Sequence, residues 1–464
     1  MTTSVQKIHF LGVCGTAMGS VAAMLKDQGF TVSGSDERVY PPMSDFLRAK
    51  GIIISDGYRP ENVPADADLV VIGNAISRGN PELEAVLNQR RYYLSLPETL
   101  KQFFLRYSHN LIVSGTHGKT TTTSLLAWLF QDAGLNPSYM IGGIPLNLGQ
   151  GCARNPCGKH WILEGDEYDT AFFDKRSKFL HYLPELVIIN NIEFDHADIY
   201  RNLDEIKLTF SRLVSLVPQN GMIVLNADND AAIEVTRGAG AQLLEVGFNA
   251  NAALRITDLS VSAAGTGFTV SGRRFHLPMH GRHNVHNAAM TVAAAHCYGL
   301  SHEQIARGMA RFKGVKRRQE VRAEINGITI VDDFGHHPTA LTETISALRQ
   351  RYPKRRLWAL FEPRSNTTRR AVFQQELPAA LAHADGVFIT PIARAEQLAE
   401  ADRLNVPLII GELQKKHLPA HYAADADEIV AKLPPLLMTG DVVAVFSNGG
   451  FGGLIEKLIA KLSA

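Results

Sequence analysis

The 464-residue sequence predicts an α/β protein of three domains, and three observations carry that expectation. Short apolar runs alternate with helical periods along the chain, which is the βαβ logic of parallel sheets. The glycine-containing loop Gly115-Thr116-His117-Gly118-Lys119-Thr120-Thr121 follows the apolar run Leu111-Ile112-Val113 and opens a helix. The length exceeds a single hydrophobic core, and at roughly 150 residues per domain it accommodates three.

In the first block, Ile8-His9-Phe10-Leu11 reads as a strand, followed by a glycine turn and a helix around Ser20 to Lys26. Thr31 to Asp36 is a second strand ending on an acid, and Asp68-Leu69-Val70-Val71-Ile72 a later one. The second block starts at Asn110 with the loop and the helix Thr120 to Asp132, closed by Gly134. It continues through Trp161-Ile162-Leu163 and Leu186-Val187-Ile188-Ile189, and ends on an alanine-rich helix from Asn287 to Cys297. The third block follows the basic stretch Lys313 to Arg318, with strands at Ile328 to Val331, Arg356 to Leu360 and Val442 to Phe446. The domains are therefore expected at 1–107, 108–315 and 316–464.

The 47 basic and 46 acidic side chains leave a net charge of +1, which gives no support to a nucleic-acid or membrane-surface role. No run approaches the ~18 apolar residues of a membrane span, and the first residues hold no signal-like apolar region, so a cytoplasmic protein is expected. Cys14, Cys152, Cys157 and Cys297 are sparse, lack paired metal-ligand spacing and read as reduced thiols. There is no fixed-period repeat, and no feature indicates an oligomeric state.

A phosphate loop needs backbone N–H groups, glycines that permit close approach, a lysine for the charge, a hydroxyl for Mg²⁺ and a helix N-terminus. Gly115, Gly118, Lys119 and Thr120 supply them, which makes ATP the expected ligand. Thr120 to Thr123 are poor helix formers, and their presence in the first turn points to hydroxyl chemistry. Val113 stands where the longer phosphate-loop pattern has glycine, so this is the shorter G-x-x-G-K-T form. Glu164-Gly165-Asp166-Glu167 and Asn190-Asn191-Ile192-Glu193-Phe194-Asp195-His196 each follow a strand, where carboxylate and imidazole groups can hold metal against a nucleotide.

The segments 115–121, 164–169 and 191–196, with 281–287 and 332–339, resemble the Mur ligases, ATP-dependent amide-forming enzymes of peptidoglycan synthesis. The resemblance covers essentially the whole chain. It implies a Rossmann-like UDP-binding domain, a central P-loop ATPase-like domain and a C-terminal Rossmann-like domain. It also implies that Thr116, His117, Thr121, Asn287, Arg318 and Asp333 join Gly115, Gly118, Lys119 and Thr120 around ATP. Thr120, Glu164 and His196 would bind Mg²⁺, and Lys119, His196 and His336 would be catalytic. The lesser alternatives are a helix N-cap for Asn287 and a solvated patch for Arg317 and Arg318. His283, His286 and His337 read as ordinary polar loop residues. Gly12, Cys14, Gly15, Thr16, Asp36 and Asn74 would bind the UDP-sugar, with the loop's N–H groups on the pyrophosphate, although Gly12 to Gly19 alone is a weak dinucleotide fingerprint. Several relatives carry a carbamylated lysine after the metal histidine, and Lys207 is the nearest lysine here, left unassigned.

Segments 14–16, 73–80, 172–179, 362–367 and 447–453 resemble the branch that adds the murein tripeptide to UDP-N-acetylmuramate in peptidoglycan recycling. A tripeptide carries several carboxylates, and arginine suits their bidentate recognition. Arg364 and Arg369 are the candidates, with Ser365 and Asn366 beside them and Lys175 and Arg176 as weaker ones. The alternative is the L-alanine-adding branch. Readings of another class are a nicotinamide oxidoreductase and a catalytically silent UDP-sugar sensor.

Overall fold

The computed structural model describes residues 5–149, 151 and 153–463, so Cys152 lies outside the described residues. The chain is α/β, built on three main sheets. The first is parallel, in the spatial order Ile53–Asp56, Thr31–Asp36, Lys7–Leu11, Leu69–Ile72, Tyr93–Ser95. The helix Thr16–Asp27 follows its first strand, longer at both ends than the sequence suggested.

The central sheet has a parallel core in the order Gln242–Gly247, Met222–Asn226, Leu186–Ile189, His109–Ser114, His160–Glu164, Ser138–Met140. Leu186, Val187, Ile188 and Ile189 are all buried, as a parallel strand covered on both faces must be. One cover is the helix Lys119–Asp132 packed against the helix Arg282–Cys297. The second helix buries Ala288, Ala289, Ala293, Ala294 and Ala295, small side chains that let the two approach closely. It starts at Arg282, five residues before the expected Asn287, because its polar first turn faces a cavity and carries no apolar period.

The third sheet runs Glu320–Ile325, Ile328–Asp333, Val442–Phe446, Leu357–Phe361, Gly386–Ile389, Ala420–Tyr422, antiparallel only at the first pair. The first and central sheets share one hydrophobic core, in which Phe104 of the connecting segment meets Trp161 with ring centroids 5.6 Å apart. The two faces of the third sheet carry their own cores. Among the described residues, no helix is long and apolar enough to cross a membrane.

Ile188, fully buried in the central strand, tests this core. Ile188→Ala is expected to lower unfolding free energy by ~2–5 kcal/mol, read as a shift of the urea midpoint.

Candidate active site

Strand register positions the phosphate loop. Ser114 lies opposite Ile189 and Val113 opposite Glu164, so three loops leave adjacent carboxyl ends side by side. Crevices of this kind are where open α/β sheets bind ligands. A cavity of about 720 Å³ opens there, and its wall includes Lys119, Glu164, His196, Asn287, Arg318 and His336.

Gly118 has φ +81°, and a Cβ there would stand 2.5 Å from Asn287 Oδ1 and 2.9 Å from Asn190 Nδ2. Only glycine fits both the backbone and the space. Asn287 thus stands against the loop from inside a helix whose N-cap is Gly281, so it caps nothing. The threonine hydroxyls are engaged as their odd composition suggested. Thr120 Oγ1 donates to Glu164 Oε1 at 2.8 Å, Thr122 Oγ1 accepts from Asn190 Nδ2 at 3.1 Å, and Thr123 Oγ1 donates to the Lys119 carbonyl at 2.7 Å.

Lys119 donates to both carboxylate oxygens of Glu167 at 2.8 Å and to the Gly115 carbonyl at 2.7 Å. Burial works against its charge, yet Glu167 and then Asp166 outweigh burial and raise its pKa. Glu167 also meets His196 Nε2 at 2.9 Å. A carboxylate can only accept, so Nε2 carries the proton and Nδ1 is left for a metal or ligand. Burial opposes the imidazolium here too, but Glu167 raises its pKa overall. Glu167 was missed as a site residue; its acidic cluster was visible, but not which acid turns inward.

Glu164 also accepts from the Gly142 N–H at 2.6 Å, and burial raises its pKa. A buried carboxylate beside a threonine hydroxyl offers the hard oxygen donors that Mg²⁺ prefers. Glu164 and Thr120 fit that ion, and His196 lines the same cavity.

The third domain closes the far wall. Arg318 is neither solvated nor part of a patch: it stacks on Phe334 at 4.7 Å and lies 3.3 Å from Thr120 Oγ1. Arg317, partly exposed, donates to the Ser447 and Gly449 carbonyls. Asp333 accepts from the N–H groups of Gln319 and Gly335, which pins the turn carrying Arg318. Thr367 Oγ1 donates to Asp195 Oδ1 at 2.6 Å, and His336 Nε2 faces the same carboxylate at 3.8 Å. Burial raises the pKa of Asp195, but His196 and then His336 pull it far below the ordinary range. Burial lowers the His336 pKa.

The bland reading of three histidines needs correction. His337 caps the helix Pro338–Arg351, accepting from the Thr339 N–H on Nδ1 while Nε2 donates to the Phe194 carbonyl. His117, Glu193 and His337 form one cluster, joined by Thr339 Oγ1 donating to Glu193 at 2.7 Å. Burial holds His337 down at about 4, and His117 and Thr339 overcome burial to hold Glu193 at about 2. His283 and His286 stand on the helix Arg282–Cys297 rather than on a loop, because its first turn lines the cavity.

In the first domain, the N–H groups of Gly12 and Val13 bond the Ser35 carbonyl, and that of Cys14 bonds Asp36 Oδ2 at 2.8 Å. Gly15 is the N-cap of the next helix and makes no side-chain cap. The donors left for an anion are therefore those of Thr16, Ala17 and Met18 in its first turn, not those of Gly12 to Cys14. Burial, then Asp36, pushes the Cys14 thiol up to about 11, which keeps it inert. A buried acid that sequence reading missed, Glu82, braces this loop by accepting from Ser35 Oγ, Asn62 Nδ2 and the Arg59 N–H. Asn74 reaches Asp169 of the central domain at 3.5 Å.

The peptide candidates do not converge. Arg364 is half-exposed above Gly449, with Nη1 3.4 Å from Glu362. Ser365 and Thr368 bond each other, and Asn366 donates to Asp198 at 2.7 Å across the domain boundary. Arg369 is 5% exposed and spends its guanidinium on the Ala393 and Arg394 carbonyls, Gln397 and Asn366. It braces a loop and has no face for a substrate carboxylate. Lys175 pairs with Asp169 and Arg176 with Asp174, on a central-domain hairpin that meets the first domain rather than the third. Lys207 pairs with Glu234 and Asp204, away from the His196 cluster.

Sequence profiles of known families match all three segments: a Mur ligase family catalytic domain over 7–108, a Mur ligase middle domain over 113–295, and a Mur ligase glutamate ligase domain over 317–449. The chain is 42% identical over 460 residues to a Haemophilus influenzae UDP-N-acetylmuramate–L-alanyl-γ-D-glutamyl-meso-2,6-diaminoheptandioate ligase, covering 98% of this chain and 99% of that one. It is 38% identical over 462 residues to the Escherichia coli protein of the same name, covering 98% of each. A crystal structure of a murein peptide ligase from Psychrobacter arcticus superposes with a TM-score of 0.71 at 32% identity, covering 99% of each chain.

Two measurements test the site. Gly118→Ala is expected to reduce ATP affinity by at least about a hundredfold, since strain and collision with Asn287 fall on the loop itself; near-normal ATP titration by calorimetry would contradict this. The folded pKa of Glu193 lies at about 2 against an ordinary 4.5, so its contribution to stability is complete above 4.5 and lost as pH falls toward 2. His337, at about 4 against 6.5, loses its contribution in the same direction between those values. Glu193→Gln should therefore flatten the fall of the urea midpoint below pH 4.5; curves parallel to wild type would refute it.

Proposed function

The chain belongs to the Mur ligase family, and on that premise we propose that it joins UDP-N-acetylmuramate to L-alanyl-γ-D-glutamyl-meso-diaminopimelate. The reaction is ATP-dependent amide formation releasing ADP and phosphate, and its place is peptidoglycan recycling. The observation that carries the reaction is a single cavity whose wall runs from Ala17, at the anion-binding helix of the first domain, to Lys119 and Glu164. The names of the full-length relatives carry the amine, since the arginine candidates do not. The family assignment removes the nicotinamide reading, and the joint presence of Lys119, Thr120, Glu164 and His196 in one cavity speaks against a silent sensor.

We assign UDP-sugar binding to 1–107, ATP to 108–315 and the amine to 316–464. On ATP binding, Lys119 exchanges Glu167 for phosphate oxygens, beside the first-turn N–H groups of its helix. Thr120, Glu164 and His196 would hold Mg²⁺, which when bound supplies charge neutralisation at the transferring phosphoryl group. The lactyl carboxylate takes the γ-phosphoryl group as the bond to ADP breaks, giving an acyl phosphate. The alanyl amine then adds to its carbonyl, phosphate leaves, and the amine's proton passes to a base, for which His336 is the candidate. Arg318, Thr339 and Thr367 keep the third domain seated over the cavity, which excludes water from the acyl phosphate.

Phosphate release is expected with UDP-N-acetylmuramate plus the tripeptide and not with L-alanine; turnover with L-alanine alone would assign the chain to the other branch. Lys119→Ala should lower turnover by at least about a thousandfold, and near wild-type turnover would remove the ATP-site assignment.

A further inference from the structure

The reaction brings together two anions, a sugar carboxylate and the γ-phosphate of ATP. Their mutual repulsion has to be met by cations on both sides of the meeting point. The cations lining the cavity are Lys119, Lys178, Arg282 and Arg318. Lys119 belongs to the phosphate loop, and Arg318 reaches Thr120 from the third domain. Arg282 lies flat on the Phe248 ring at 3.4 Å.

Lys178 alone of the four stands toward the first domain. It opens the short helix Lys178–His181, which packs against the first-domain segment Leu96–Leu100. Leu96, Pro97 and Ala17 line the same cavity wall. Its ammonium donates to Asp166 Oδ2 at 2.6 Å and lies 6.0 Å from the centre of the Tyr168 ring, which in turn meets the His196 ring at 4.3 Å. The side chain is 23% exposed. An ammonium has three N–H donors, and Asp166 takes one. Lys178 thus lines the cavity shared by the helix start proposed for the pyrophosphate and the phosphate loop, with donors to spare.

We propose that Lys178 binds the lactyl carboxylate of the UDP-sugar and guides it to the γ-phosphate. This rests on the reading of UDP-N-acetylmuramate as the acid substrate. Asp166 positions the ammonium, and an incoming carboxylate takes the free donors without displacing it. Lys178 is separate from the paired neighbours Lys175 and Arg176, whose exposed heads lie outside the cavity wall.

The test titrates two nucleotide sugars into the full-length protein by calorimetry, with Mg²⁺ and a non-hydrolysable ATP analogue present. One is UDP-N-acetylmuramate; the other is UDP-N-acetylglucosamine, which lacks the lactyl carboxylate. Lys178→Met is expected to weaken the first by at least about tenfold, leave the second within about twofold, and be partly rescued by Lys178→Arg. The KM for UDP-N-acetylmuramate should rise while that for the tripeptide does not. A double variant, Lys178→Met with Asp166→Asn, keeps the loss if Lys178 touches substrate; recovery would mean that an unmasked Asp166 caused it and would overturn the inference. Unchanged affinity of Lys178→Met for UDP-N-acetylmuramate, or a loss confined to the tripeptide KM, would also overturn it. A wild-type protein that binds no UDP-N-acetylmuramate would instead sink the underlying substrate reading.

Discussion

The ammonium of Lys119, gripped by both oxygens of the buried Glu167, is the interaction around which this molecule is arranged. Neither charge is tolerable alone at that depth, because an unpaired buried ion costs more than the fold can supply. The pair is placed by adjacent parallel strands whose carboxyl ends lie level, so the register of the central sheet is in effect an electrostatic specification. Through Glu167 the same carboxylate fixes the His196 tautomer, and through Thr120 the loop reaches Glu164. One lysine therefore ties the phosphate loop to the residues suited to a metal.

The other domains are joined to this centre by contacts of different kinds. On the third-domain side a few directional hydrogen bonds, Thr367 to Asp195 and Thr339 to Glu193, carry the docking along with Arg318. Such contacts are strongest while the carboxylates are charged, which makes seating of that domain sensitive to the cavity's charge state. On the first-domain side the junction is largely apolar, through Phe104 and Trp161, and suits a fixed wall rather than a moving one.

Much of the fold was legible because it is written in local periodicity. The strands Leu186–Ile189 and Val442–Phe446 fall where apolar runs put them, since a strand covered on both faces has no alternative pattern to obey. The helix Arg282–Cys297 was half visible: its alanine-rich part shows an apolar period, while its start, Arg282 to His286, is polar for the sake of the cavity. Glu167, Glu193, Lys178 and Glu82 went unassigned for one reason. Each is a charged residue in a polar neighbourhood, and nothing in sequence distinguishes an acid or lysine that turns inward from one that turns to water.

The sequence by itself determined the phosphate loop, the candidate metal residues and the resemblance to amide-forming ligases, because those functions need particular side chains at close spacing within one segment. The tertiary structure decided the partnerships across segments. It gave Lys119 to Glu167, brought Arg318 out of a supposed surface patch onto Phe334, and turned Arg369 from a substrate contact into a brace. The physical reason is that a charge's role depends on what faces it in space, and those partners lie dozens to hundreds of residues away along the chain.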